Sequence, residues 1–317
     1  MSRRPLLDGW PLALVLMGVT WYSVFSAGQG HEGADTLAAG WTFAVPLMAI
    51  LTAHEFGHYI AARLHGVDIS PPYFIPFPNF FGTMGAVIAM RARIPSRNAL
   101  LDIGAAGPLA GMAVAIPVLV VGMLESPIAP SPPRGTLGPA GALGIPEVVG
   151  GYLQEGHSLF YDLMLLLVRG GIPEGHDIHL TPTALAGWAG LLVTMINLLP
   201  VGQLDGGHVA YALLGPAQDR YSRLVLRALP VLAVLSSALL VLRGWLLNHG
   251  PGSLVGNVMA GFPWLVWWVV LKLMLRGDNA NHPPTDDDTL SPGRRKVAWL
   301  TLALFPLLFM PAWLRAQ

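Results

Sequence analysis

Two histidines four residues apart, with a glutamate between them, interrupt a long apolar run: residues 51–64 read LTAHEFGHYIAARL. On a helix His54 and His58 lie little more than one turn apart, so both imidazoles leave the same face and can share one tetrahedral ion. Glu55 completes an H-E-x-x-H arrangement, in which two neutral histidines bind Zn²⁺ and the glutamate takes a proton from the metal-bound water. The preceding stretch, residues 41–51, carries no charge, which puts the motif at the end of a membrane span. Ionisable groups at that depth are costly and mark function.

A second stretch of site character is NLLPVGQLDGGH, residues 197–208. Pro200 stops the helix before it, and Gly206 and Gly207 permit close backbone approach, so Asp205 can be aimed rather than merely exposed. Asp205 and His208 are three apart, and either can supply a third metal ligand; spacing does not choose between them. Asn197 can hydrogen-bond a substrate backbone or oxyanion, or cap its own helix. The chain has no cysteine, so thiolate sites are excluded and any metal is held by His, Asp or Glu.

The elements that must position these residues are membrane helices. Of 317 residues 53% are hydrophobic and 11% charged, and the mean hydropathy is +0.56, whereas soluble domains carry about 25% charged residues. A polytopic α-helical membrane protein follows. The formal net charge is zero with no long basic run, so no nucleic-acid footprint is present.

Seven apolar stretches read as transmembrane helices, at about residues 9–27, 41–64, 100–123, 182–199, 224–242, 261–275 and 297–312. This divides the chain into a first span with its outer loop (1–40), a core holding both motifs (41–223) and three C-terminal spans (224–317). Residues 159–168 are apolar but too short to cross a bilayer, which takes about 20 residues; they are expected at the interface or packed over the bundle. Residues 66–95 are too rich in Pro and Gly for a helix, and 82–90 read as a short strand or hairpin. The connection 277–295, with Asp286, Asp287 and Asp288, reads as solvated and flexible.

Charge bias supports this order of spans. With the N-terminus in the cytoplasm, 14 of the 18 Lys and Arg residues fall on inner segments, and only Arg134, Arg169, Arg243 and Arg315 fall outside, as the positive-inside rule requires. The HEFGH helix end and the Asp205 loop then both reach the cytoplasmic side, and the membrane expected is the plasma membrane of a prokaryote.

From about residue 41 to 212 the chain resembles the site-2 proteases, a family of intramembrane zinc metalloproteases. HEFGH, the PYFIPFP…GTMGAVI segment, GAAGPLAG (residues 104–111) and NLLPVGQLDGGH carry the resemblance. It implies one Zn²⁺ per chain on His54, His58 and Asp205, with Glu55 as catalytic base and His208 outside the ligand set. It also implies a β-structured loop from Tyr73 to Met90 that dips into the membrane beside the site, and the compact group without a PDZ domain. Substrates would be single-span membrane proteins cut within or near their transmembrane segments in regulated intramembrane proteolysis. An exposed strand edge at 82–90 would receive them by strand addition, which singles out Gly82, Gly85, Val87 and Ile88. A membrane zinc transporter would spread its ligands along a path, and an idle scaffold would not need Glu55. The sequence does not fix the oligomeric state.

Overall fold

A computed structural model describes residues 9–30, 36–131, 136–137, 148–149, 153–246, 251–275, 281–285 and 289–316. Ten α-helices occur among them: α1 (Trp10–Gln29), α2 (Thr36–Leu64), α3 (Arg97–Glu125), α4 (Leu159–Arg169), α5 (Pro182–Asn197), α6 (Asp205–Leu214), α7 (Gln218–Leu246), α8 (Pro251–Met259), α9 (Phe262–Met274) and α10 (Pro292–Leu308). Eight short strands form four two-stranded antiparallel ribbons. They are β1 (Tyr73–Pro76) with β2 (Thr83–Val87), β3 (Ile128–Pro130) with β7 (His176–Ile178), β4 (Thr136–Leu137) with β5 (Val148–Val149), and β6 (Leu153–Glu155) with β8 (Leu314–Ala316).

Five helical stretches are long and apolar enough to cross a membrane: Trp10–Gln29, Leu37–Leu64, Arg97–Glu125, Asp205–Leu246 and Gly256–Met274. The chain is thus a helical membrane protein with five such stretches among the described residues, against an expected seven. The two that fall short have different causes. Helix α5 has 16 residues because Pro200 and the turn after it end it early; α10 has 17 and begins in the basic run Arg294, Arg295 and Lys296. Helix α8 was not anticipated, since Gly252, Gly256 and Asn257 are poor helix formers.

Helices α2, α3 and α5 form the centre, with α1 on the outer side of α2 and α6 against α3. Glycine lets the central helices approach. A Cβ at Gly187 would meet the Leu119 backbone at 2.7 Å, and one at Gly190 would sit 3.0 Å from Ala115 and Ile50. Ser96 caps α3 through the Ala99 amide (3.1 Å) and Thr181 caps α5 through that of Ala184 (3.3 Å). Trp188, fully buried on α5, donates its indole N–H to the carbonyl of Gly156 (2.8 Å), tying the connection between α3 and α5 to the bundle. Helix α4, as expected, packs over this bundle through buried Tyr161 and Leu165.

Residues 82–90, read as a short strand or hairpin, hold β2, whose partner β1 lies before them, paired Tyr73↔Val87 and Phe74↔Ala86. Its turn is closed by Asn79, whose side-chain amide donates to the Thr83 carbonyl (3.0 Å) and whose Oδ1 accepts from the Phe81 amide (3.0 Å). Gly82 has φ +77° and lies against the backbone of Ser23 and Val24 on α1, leaving no room for a side chain.

The connection between α9 and α10 departs from the solvated reading. Within residues 281–285 His282 and Thr285 are buried while Asn281, Pro283 and Pro284 are exposed, and backbone and side-chain hydrogen bonds fix the segment to α7 and to the residues before α3. The Asp286–Asp288 triplet lies outside the described residues.

Candidate metal centre

The site is built where α2, α3, α5 and α6 converge. His54 Nε2 lies 3.1 Å from Asp205 Oδ2, His58 Nε2 lies 3.2 Å from Asp205 Oδ1, and the two histidine Nε2 atoms are 3.2 Å apart. Two ligands on a tetrahedral zinc, each at about 2.0–2.1 Å, stand about 3.3 Å from each other. One lone pair from each residue can therefore meet at a common point, and this His–His–Asp group has the donor set and spacing of a zinc site. His54 is 3% and Glu55 7% exposed, so Glu55 is a carboxyl group held next to the cluster and away from bulk solvent.

His58 and Asp205 are oriented from behind, whereas Asn197 meets His54 on the cluster side. His58 Nδ1 is 2.7 Å from the carbonyl of Ile103 on α3; a carbonyl only accepts, so this nitrogen carries the proton and Nε2 presents a lone pair to the cluster. Asn197, the last residue of α5, brings its side-chain amide to 3.3 Å from His54 Nε2. Asp205 opens α6, where a negative side chain is favoured by the unpaired amides of the first turn.

The loop between α5 and α6 explains its own sequence. After Pro200 the chain turns through Gly202 at φ +54°, held by its amide on Ser222 Oγ (2.8 Å) and by Gln218 on the Pro200 carbonyl (3.3 Å). It then lies directly under Gly206 and Gly207, whose missing side chains leave space for the carbonyls of Leu198 and Gly202.

GAAGPLAG has a more specific use than helix packing. Gly104, Gly107 and Gly111 line one face of α3; a Cβ at Gly104 or Gly107 would strike His208 Cβ or the His58 ring, and one at Gly111 would sit tightly, 3.2 Å from His54. Small residues at this spacing suit any close helix contact, so nothing in the pattern marks the contact as one with the site histidines. His282, which meets His208 (2.7 Å), was also missed; it lies in a proline-flanked connection without periodicity.

Of the predicted site residues, His54, Glu55, His58, Asp205 and Asn197 come together. Gly82, Gly85, Val87 and Ile88 lie in or beside the β1–β2 hairpin, a separate element packed on α1 and α2. His208 is buried on α6 and turns its Nδ1 towards His282.

A membrane-helix bundle with an H-E-x-x-H helix facing an aspartate defines a membrane protein with a candidate metal centre. The model of peptidase family M50 matches residues 42–236, and the chain belongs to this family, the site-2 protease family. It is similar to "Probable zinc metalloprotease EGY2, chloroplastic" of Oryza sativa subsp. indica, 31% identical over 225 residues, which cover 70% of this chain and 38% of the relative. It is also similar to "Probable zinc metalloprotease EGY1, chloroplastic" of Oryza sativa subsp. japonica (36% over 171 residues, 53% of this chain and 27% of the relative). The EGY2 relative of Arabidopsis thaliana is 30% identical over 187 residues (59% and 31%). The chain thus spans well under half the length of these relatives. No solved structure matches it.

Proposed function

We propose that this chain is an intramembrane zinc metalloprotease that hydrolyses peptide bonds within or near transmembrane segments of single-span membrane proteins. The observation that carries this reading is the meeting of His54, His58 and Asp205 beside the buried carboxyl of Glu55. Family membership and the zinc metalloprotease names of the relatives support it.

His54, His58 and Asp205 hold the ion through two imidazole nitrogens and a carboxylate. Zn²⁺, when bound, supplies Lewis acidity that activates water near neutral pH and polarises a carbonyl. Glu55 accepts the proton of the attacking water and delivers it to the departing amide nitrogen. The Ile103 carbonyl keeps His58 in the tautomer that can ligate. Asn197, one hydrogen bond from His54, donates to the substrate backbone or the developing oxyanion. The β1–β2 hairpin, dipping into the membrane beside the cluster, offers the outer edge of β2 to an unwound substrate, whose freed amides would otherwise go unpaired at a cost of several kcal/mol each.

In this reading α5 and α10 join the five long stretches to give seven crossings. The distribution of Lys and Arg supports a cytoplasmic N-terminus and a site near the cytoplasmic face. The membrane proposed is a prokaryotic plasma membrane; the chloroplastic designation belongs to the relatives' names.

The test is purified Glu55→Gln in lipid. It retains about one zinc per chain, because the ligands are untouched, and cleaves no membrane-embedded substrate. Cleavage at the wild-type rate by Glu55→Gln would refute the mechanism. Comparing membrane proteomes of cells carrying wild-type or Glu55→Ala protein should reveal substrates as accumulated single-span precursors.

A further inference from the structure

The segment 281–285 ends on the helix that carries Asp205. His282 is 7% exposed although it lies between two helices in a run of Asn and Pro, and four groups grip it. Its amide donates to Asp219 Oδ1 (2.9 Å), its Nδ1 is 2.6 Å from the Pro283 carbonyl, and its Nε2 is 2.7 Å from His208 Nδ1. Its ring stacks on Tyr211, with centroids 4.3 Å apart and planes at 24°. The flanks are tied as well: Arg223 donates to Asn281 Oδ1 (2.6 Å) and Arg93 to the Pro284 carbonyl (2.7 Å).

The proton positions follow from the carbonyl. Pro283 can only accept, so His282 Nδ1 carries the hydrogen, and Nε2 of the neutral ring is an acceptor. His208 must then donate its Nδ1–H. Burial keeps the His282 imidazole in this neutral form by lowering its pKa. A separation of 2.7 Å is well short of the roughly 3.3 Å between two ligands of one tetrahedral zinc, so the pair is a hydrogen bond and not half of a second metal site.

His208 is one helical turn from Asp205, and its Cβ rests where a Cβ on Gly104 of α3 would have been. The first turn of α6 is therefore held on three sides: by Gly104, by the carbonyls under Gly206 and Gly207, and by His282. Only the last contact is a directional bond to a side chain of α6, and it comes from 74 residues away in the chain. The rotation of α6 about its axis decides where the Asp205 carboxylate points.

We propose that residues 281–285 form a strap that sets the rotation of α6 through the His282–His208 bond, making His282 a positioning residue for Asp205. The inference rests on Asp205 being a ligand of the proposed centre. Residues supporting metal ligands typically change metal affinity by about 10–100-fold when removed.

The experiment uses the full chain in lipid nanodiscs and measures zinc affinity by chelator competition, the visible spectrum of the Co²⁺-substituted protein, and kcat and KM. His282→Leu fills the site without an acceptor. It should weaken zinc binding by about 10–100-fold, alter the Co²⁺ bands and lower kcat with KM little changed. His282→Gln, whose Oε1 can accept from His208, should recover most of the affinity and the wild-type Co²⁺ bands. Wild-type affinity and spectrum in His282→Leu overturn the proposal, and so does a His282→Gln variant no better than His282→Leu. If His282→Leu does not fold, Asp219→Ala and Asn281→Ala loosen the strap without touching the ring. They give the same changes at smaller amplitude, and unchanged zinc affinity in both overturns it. Asp205→Asn separates the two levels of the argument. Retained zinc affinity there removes the ligand reading itself, whereas lost affinity with an unperturbed His282→Leu removes only the strap.

Discussion

His58 donates its Nδ1–H to the main-chain carbonyl of Ile103 across 2.7 Å, and the glycine four residues on, Gly107, lies flat against the same ring. One helix therefore fixes both the tautomer and the orientation of an imidazole carried by another.

This makes Gly107→Ala a test of orientation without loss of a ligand. The added methyl overlaps the His58 ring, and the ring cannot turn away without stretching its bond to Ile103. Zinc affinity should fall at least about tenfold, as for other supports of metal ligands, while α3, better served by Ala than Gly, gains helix propensity. Chelator competition on the purified variant checks this, and wild-type affinity would show that α3 has slack there.

The identity of the third ligand can be separated by single substitutions. His54→Ala, His58→Ala and Asp205→Ala should each lose zinc, since a tetrahedral catalytic site has only three protein ligands to draw on. His208→Ala should keep about one zinc per chain at saturating metal. Metal analysis after dialysis decides, and zinc kept by Asp205→Ala but lost by His208→Ala would reverse the assignment.

The hairpin's role can be tested with proline, which removes the amide donor that strand pairing needs. Val87→Pro or Ile88→Pro should impair cleavage of a membrane-embedded substrate and leave zinc content unchanged. A substrate whose scissile segment already carries helix breakers should suffer too, because it still needs the edge. Normal cleavage of both substrates by a correctly inserted variant would reduce the hairpin to a connector.

In the connection between α3 and α5, Glu155 offers a prediction in pH. Burial raises its pKa, and the Tyr161 hydroxyl donating to Oε1 (2.7 Å) offsets this only in part. The folded state then binds a proton more tightly than the unfolded chain, so stability declines as pH rises from the ordinary carboxylate range through the raised value. Thermal melting of the wild type should fall across that window. Glu155→Gln keeps an acceptor for Tyr161 and should show a flatter profile with a higher melting temperature at neutral pH; identical profiles would contradict this.

The parts legible in the sequence were those whose chemistry dictates residue type and period together. His54, Glu55 and His58 could be read because a shared ion requires one helical face; Asp205 stood beside His208 as a candidate that only the family resemblance selected, and the stretch read as poor helix in fact starts α6 at Asp205. Helix α2 could be placed because residues 41–51 carry no charge and run straight into the motif. Gly104, Gly107 and Gly111 were visible only as small residues, since the absence of a side chain does not name what fills the space. His282 could not be connected with His208 at all: no period links residues 74 apart in sequence, and NHPP resembles any turn. The length of α5 was overestimated because hydropathy continues through Leu198 and Leu199 while the backbone has already turned.

The β6–β8 ribbon pairs Leu153–Glu155 with Leu314–Ala316. Ribosomes add roughly 5–20 residues per second, so the earlier strand waits on the order of ten to thirty seconds for its mate. During that interval its amides and carbonyls face water or a chaperone, and Glu155 lies beside a strand edge that nothing yet closes. Closure of this ribbon thus waits until α10 has been inserted and the segment beyond it has folded back.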